Sequence, residues 1–315
     1  MTRISRLAPV STIAAALVVA GPSHARGIEY SIDIGVSERS LDWTIAGTPA
    51  GTNPNILSEL IWSDIRLVQI EGQLKIPLSG ISVKNPYFIR LEGGYGWIFS
   101  GDNQDSDYLS DNRQDEFSRS NNSADGGEAL NYAVALGIDF YVRPWFTISP
   151  EIGYAHHELN LEMTDGNQTI DTISNDLGPF PGLDSSYDAE REGVFVGLAT
   201  AFRYSPQWRY YGSLRYSWND DYEAVAQWNL RPDFQQPESF RHVTNGSGYE
   251  AKLGVTYYMQ SREGGQVSVT VSHKEWEGDP GIDYTFFSDA TYTTTRLNEV
   301  NWDETSIMFN YSRRY

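Results

Sequence analysis

Carboxylate side chains recur at short spacing in the segment GDNQDSDYLSDN, residues 101–112. Asp105 and Asp107 are separated by a single residue, and two carboxylates held this close do not both ionise readily. The pKa of one of them therefore rises, and that group can hold or receive a proton. Such a pair is suited to acid and base chemistry on a bound water molecule.

The same segment has features of a cation site. Hard oxygen ligands of the kind that calcium prefers are supplied by Asp102, Asp105, Asp107 and Asp111. The glycine and the distant glutamate of an EF-hand loop are missing, so the spacing predicts weak calcium binding and no dedicated sensor. The chain has no cysteine, which removes thiolate metal sites and disulfides, and no other cofactor is predicted.

The elements that must position these residues alternate apolar and polar side chains with a period of two. In the first of ten such stretches, Ile32 and Ile34 point one way while Ser31 and Asp33 point the other. The connections are in turn long and acidic or only a few residues. This rhythm predicts an all-β fold, a ten-stranded antiparallel transmembrane β-barrel with long extracellular loops and short periplasmic turns.

The amino-terminal residues are typical of an export signal. A short apolar run over residues 7–21 follows two arginines and precedes a small-x-Ala end. We therefore predict a cleaved signal peptide over residues 1–25 and an outer-membrane β-barrel over residues 26–315. No later stretch is apolar enough to span a bilayer as a helix, so an integral membrane protein here must be a closed barrel. A secreted soluble β-protein is the alternative.

The acidic balance of the chain bears on its partners. The formal net charge of -19 argues against nucleic acid, which demands a basic face. The acids concentrate in three long connections, residues 100–128, 164–190 and 277–304. Their field would draw cationic peptides, polyamines or divalent ions. The alternative is solvated loops that calcium bridges to lipopolysaccharide, so the predicted partners are the outer membrane, its lipopolysaccharide, and cationic peptides or a host surface.

The inward positions of the predicted strands carry charges of both signs. They include Arg90, Glu92, Asp139, Arg203, Arg209, Arg215, Glu250 and Lys252. Ten strands enclose too little space for a wide channel, and charges buried in a narrow lumen should pair with each other. We therefore expect a filled barrel, not a porin.

With its strand count and its carboxylate pair in view, the chain resembles the omptin family of outer-membrane endopeptidases, which are ten-stranded barrels. The match consists of Asp105-Ser106-Asp107-Tyr108 just past the top of strand three, the downstream segment NYAVALGIDF and the strand count. The resemblance implies that the aspartate pair orients an attacking water together with an Asp-His dyad from the loop after strand seven. That dyad is expected near Ala226-Gln227-Trp228, where this sequence has neither residue.

Another histidine could replace the missing one only if it lay at the height of Asp105. Counting residues from the periplasmic turns leaves His242 alone at that level, with Asp233 and Glu238 nearby in sequence. Asp105, Asp107 and His242 are therefore the candidate catalytic residues. The alternative is that His242 is a solvated histidine in a loop, without a catalytic role.

Three functions remain open from the sequence. We favour a surface binding or adhesin-like barrel without catalysis, because the aspartate pair is present without its dyad. An omptin-type aspartic endopeptidase that selects basic residues by its acidic rim is the second interpretation. A narrow diffusion channel is the third, and the mixed charges of the lumen oppose it.

Overall fold

A computed structural model describes residues 28–78, 86–259 and 265–313. The predicted signal peptide and His24 lie outside these residues. Within them, no helix is long and apolar enough to cross a membrane. The chain folds into antiparallel strands, which in order are β1 (Glu29–Ile45), β2 (Ser58–Leu78), β3 (Tyr87–Ser110), β4 (Gln114–Ser123), β5 (Gly127–Ile138), β6 (Phe140–Arg143), β7 (Phe146–Asp171), β8 (Gly178–Pro179), β9 (Ser185–Arg203), β10 (Trp208–Gln227), β11 (Phe240–Tyr258), β12 (Gly265–Gly278), β13 (Gly281–Phe286) and β14 (Tyr292–Arg313).

The strands form a closed ring of ten positions in the described part of the chain. Each position of the ring pairs with the next, and β14 pairs back to β1, which closes the sheet. The segments β4, β5 and β6 share one position between β3 and β7, and β12 and β13 share another between β11 and β14. Closure leaves the ring without a free edge, and the predicted ten-stranded antiparallel barrel is confirmed.

A belt of outward apolar residues surrounds one half of the barrel. On β1, Tyr30, Ile32, Ile34 and Val36 are exposed on the outer surface. On β10 the belt runs from Trp208 to Trp218, with aromatic rings at both ends as expected at two membrane interfaces. The membrane-spanning segments are 30–36, 68–76, 87–97, 132–142, 146–154, 194–204, 208–218, 249–257, 267–271 and 307–311.

Charged side chains fill the barrel behind this belt. Glu151 bridges Arg90 and Arg215 at 2.9 and 3.0 Å, and Arg215 also reaches Glu92 at 2.6 Å. Further along the lumen, Lys252 pairs with Glu250, and Lys75 pairs with Asp139. These contacts confirm that most predicted inward charges pair with each other. Arg203 departs from the prediction, since it is exposed and lies over the Tyr258 ring.

Beyond the outer aromatic ends, the same strands continue with inverted polarity. On β1, Glu38 and Asp42 face outward, whereas Leu41 and Trp43 are only 2% exposed and face inward. The interior of this extension is a packed apolar core. Its largest members are Trp43, Leu60, Trp62, Leu161, Met163, Tyr187, Tyr222, Phe240, Trp276, Leu297 and Trp302.

The segments predicted to be long extracellular loops are therefore mostly strand. The first acidic connection is the hairpin of β3 and β4, and the second is largely the upper ends of β7 and β9. The sequence pattern did not reveal these strands, because the extension lies beyond the apolar belt. Its outward residues are polar, so the apolar outward signal that marked the strands disappears while the backbone pairing continues.

Candidate functional site

The carboxylate pair lies inside the mouth of the extension. A break in the β2–β3 register near Ser63 and Arg66 precedes the pair, and beyond it Asp105 lies opposite Leu60 while Asp107 lies opposite Ser58. Leu60 is fully buried in the core, so its cross-strand neighbour points to the same interior. Both aspartates are half-buried and stand above the apolar core.

Their surroundings disfavour two full negative charges. Burial and the neighbouring charge of Asp107 raise the pKa of Asp105 well above its ordinary value, and burial raises the pKa of Asp107. Hydrogen bonds from the side chains of Trp228 and Ser58 partly offset this effect on Asp105 and Asp107, respectively. The pair can therefore share a proton.

The wall opposite the pair comes from the segment that follows β10. Trp228 reaches Asp105, and the positive charge of Arg231 acts on both aspartates. The guanidinium of Arg231 is already bound to Asp233, with Nε to Oδ1 at 3.1 Å and Nη2 to Oδ2 at 2.9 Å. A tryptophan and a neutralised arginine thus occupy the side where the omptin resemblance implies an Asp-His dyad.

His242 lies on β11 in the apolar core and is fully buried. Its Nδ1 is 3.0 Å from the hydroxyl of Tyr187, and its Nε2 is 3.5 Å from Oδ1 of Asp283. The rings of Trp43 and Phe240 pack against it at 4.7 and 5.2 Å between centroids. The histidine is a member of a buried aromatic cluster with one carboxylate partner.

The three candidate catalytic residues do not form one constellation. They lie at similar heights above the apolar belt, whose outer end is at Trp97 on β3 and at Tyr249 on β11. Asp105 lies eight positions beyond Trp97, and His242 lies seven positions before Tyr249. Across the barrel, however, the ring of Phe240 packs between Trp228 and His242. Height can be counted along a strand, whereas the distance across the interior depends on the side chains that fill it.

The sequence also missed the true partner of His242. Asp283 lies directly across from it in the pairing of β11 with β13. The predicted neighbours are engaged elsewhere, Asp233 with Arg231 and Glu238 with Arg241. Only the register of two strands distant in sequence reveals the His-Asp pair, and spacing along the chain carries no signal of it.

The four aspartates predicted as a weak calcium site are not brought together. Asp102 is exposed on the outer face, since strand alternation turns it away from Asp105 and Asp107. Asp111 lies in the turn after β3 and accepts a hydrogen bond from the backbone of Asn55 at 2.7 Å. Among the described residues, no three acidic or histidine side chains are grouped as metal ligands.

The ten-position ring, the apolar belt and the filled lumen define an integral outer-membrane β-barrel of the omptin-like class. The chain belongs to the family described as Pom, Protochlamydia outer membrane protein, whose family model matches residues 31–314. The predicted location in the outer membrane is confirmed with it. No curated protein matches the chain.

Solved structures provide a second comparison. The outer membrane protease OmpT from Escherichia coli has a TM-score of 0.68 and 14% identity, with 94% of this chain and 99% of that chain covered. The toluene transporter TodX of P. putida has a TM-score of 0.34 and 8% identity, with 91% and 90% covered. The likeness to OmpT establishes the fold and confirms the omptin-like resemblance at that level.

Proposed function

We propose that this barrel is a surface receptor that binds cationic peptide segments at Asp105 and Asp107 without cleaving them. One observation carries the proposal: Trp228 and Arg231, not an Asp-His dyad, face the carboxylate pair. The pair therefore has the charge to hold a cation and lacks the partner that hydrolysis requires.

Hydrolysis of a bound peptide would require a proton acceptor beside the aspartate pair. A positioned general base contributes typically about 10²–10⁴-fold to a hydrolytic rate. Within the described residues, the only histidine at the right height is fully buried, with Nδ1 3.0 Å from the Tyr187 hydroxyl and Nε2 3.5 Å from Asp283. A peptide at the mouth cannot reach that imidazole without displacing the packed ring of Phe240.

The charges at the mouth favour the binding of a cation. Asp233 binds Arg231, so the positive charge of Arg231 offsets only part of the negative charge of the aspartate pair. A lysine or arginine side chain placed between the carboxylates would relieve the cost that raises the pKa of both. The indole of Trp228 stands beside them and offers an aromatic surface on which a cation can stack.

The filled interior argues against the third interpretation, a diffusion channel. A solute would have to cross both the apolar core of the extension and the paired charges of the lumen. Reconstitution in planar bilayers is the direct measurement. We expect no resolved conductance steps, and stable steps would favour the channel.

Peptide binding can be measured by fluorescence anisotropy with a labelled Lys-Arg peptide and the refolded barrel. We expect Asp107→Asn to weaken binding about tenfold at low salt, which corresponds to about 1.4 kcal/mol. Asp102→Asn is the matched control, because it removes the same charge from the outer face. Equal losses of affinity in both variants would show that only the general negative field of the barrel attracts the peptide. No loss of affinity in either variant would show that the peptide does not bind at Asp107.

A further inference from the structure

A small cavity lies inside the barrel between the apolar core and the paired charges of the lumen. Its volume is about 30 Å³. It lies just beyond the outer end of the belt, since Arg191 is three positions before Val194 on β9. The side chains that point into it include Arg39, His157, Arg191, Lys274 and Glu304.

The charges around this cavity do not balance. Glu304 is the one inward carboxylate of the lining, and it is shared by Arg39 at 2.7 Å and Lys274 at 3.2 Å. The other two acids of the lining, Glu158 and Glu190, alternate with inward residues and face outward. Lys274 also lies 3.8 Å from Glu250, outside the lining, so Arg39 and Lys274 have carboxylate partners whereas Arg191 is left without one among the described residues.

Arg191 is the clearest sign of a missing partner. It is only 9% exposed, and in the described part of the chain it makes no ion pair. Its guanidinium carbon lies 3.9 Å from the ring centroid of Trp302 and 5.6 Å from that of Trp276. Attraction to aromatic rings offsets only part of the cost of burying a guanidinium, so these rings do not replace an anion.

Two further observations agree with this imbalance. The Nε of Arg39 is buried and has no hydrogen-bond acceptor among the described atoms. Burial and the charge of Arg39 lower the pKa of Arg191 to about 9, the direction expected for a cation that lacks a counterion. A bound anion would satisfy the donors and restore the charge balance.

We propose that this cavity binds a single chloride ion, held chiefly by Arg191 and Arg39. The cavity exceeds the roughly 10–15 Å³ that a water-sized particle needs, so it has room for a monatomic anion. The ion joins β1, β9 and β12 at the boundary between the two halves of the barrel. Folding of this boundary therefore depends on the anion, whether or not the mouth binds peptides.

Crystals of the refolded full chain soaked in bromide test the site by anomalous diffraction. We expect a peak in the cavity beside Arg191 in the wild type and none in Arg191→Met. Arg203→Met is the matched control, because Arg203 also lies over an aromatic ring but is exposed, and it should keep the peak. A wild-type map with peaks only on the surface, or a cavity peak that persists in Arg191→Met, would overturn the proposal.

A second measurement needs only the wild type, in case Arg191→Met does not fold. Chloride is exchanged for gluconate at constant ionic strength, since gluconate is too large for the cavity. We expect the thermal midpoint to rise as chloride replaces gluconate, with the logarithm of the chloride concentration once that concentration exceeds the dissociation constant, as binding to the folded state requires. A midpoint that does not change as chloride replaces gluconate counts against a chloride site.

Discussion

The two halves of this barrel use the same strands and the same alternation for opposite purposes. Within the belt, apolar residues such as Ile34 face lipid and charges fill the interior. In the extension, Trp43 and its neighbours fill the interior while Glu38 and Asp42 face water. The difference shows that solvent outside the strand decides which face is apolar, since the backbone pairing is continuous through both halves.

The largest effect should come from an interior charge of the belted half. We expect Glu151→Gln to lower the free energy of unfolding by about 3–5 kcal/mol, because it removes the buried carboxylate that Arg90 and Arg215 share and leaves Arg90 with only the more distant Glu92, at 3.9 Å. Equilibrium unfolding in guanidinium, with the barrel in phospholipid vesicles, measures this loss. Glu38→Gln is the control, since its exposed pair with Arg66 should cost about 0–1 kcal/mol. Equal losses would contradict the contrast between the two halves.

A charge introduced on the outer face should destabilise the belted half and have little effect in the extension. Leu91 faces lipid near the middle of its spanning segment, and we expect Leu91→Arg to cost about 2–4 kcal/mol. Asp102 lies on the outer face of the same strand in the extension, and Asp102→Arg should stay within about 0.5 kcal/mol. The same unfolding assay applies, and a large loss in Asp102→Arg would place the belt higher than described.

A smaller effect concerns the pH dependence of stability. The folded pKa of Asp105 is raised, so its contribution is most favourable below the ordinary value of 3.8 and is lost as the pH rises through the folded pKa. Asp105→Asn should therefore gain stability relative to the wild type as the pH increases toward neutrality. Parallel pH profiles for Asp105→Asn and the wild type would contradict the prediction.

The belted half was predictable because lipid imposes a one-sided rule on every strand. Outward residues from Ile32 to Val36 are apolar without exception at alternate positions, and the lumen charges follow by parity. The strands of the extension were not recognised, since their outward residues are polar and their inward residues mix tryptophan with small side chains. No single period of hydrophobicity marks them.

For the candidate site, the sequence predicted which residues lie at the mouth but not which side chains contact them. Spacing identified Asp105 and Asp107 and the absence of a dyad at residues 226–228, and counting identified the level of His242. The partners of these residues depend on register and packing across the barrel. Arg231, Asp283 and the ring of Phe240 are contacts of that kind, so they emerge only in three dimensions.

The central claim is that the mouth binds cationic segments without hydrolysing them. It is tested most directly by incubating the refolded barrel, in the presence of lipopolysaccharide, with a fluorogenic peptide that contains a dibasic site. We predict that the wild type releases no more fluorophore than Asp107→Ala, although the wild type binds the peptide more tightly. Cleavage by the wild type that disappears in Asp107→Ala and in His242→Ala would contradict this account and establish an endopeptidase.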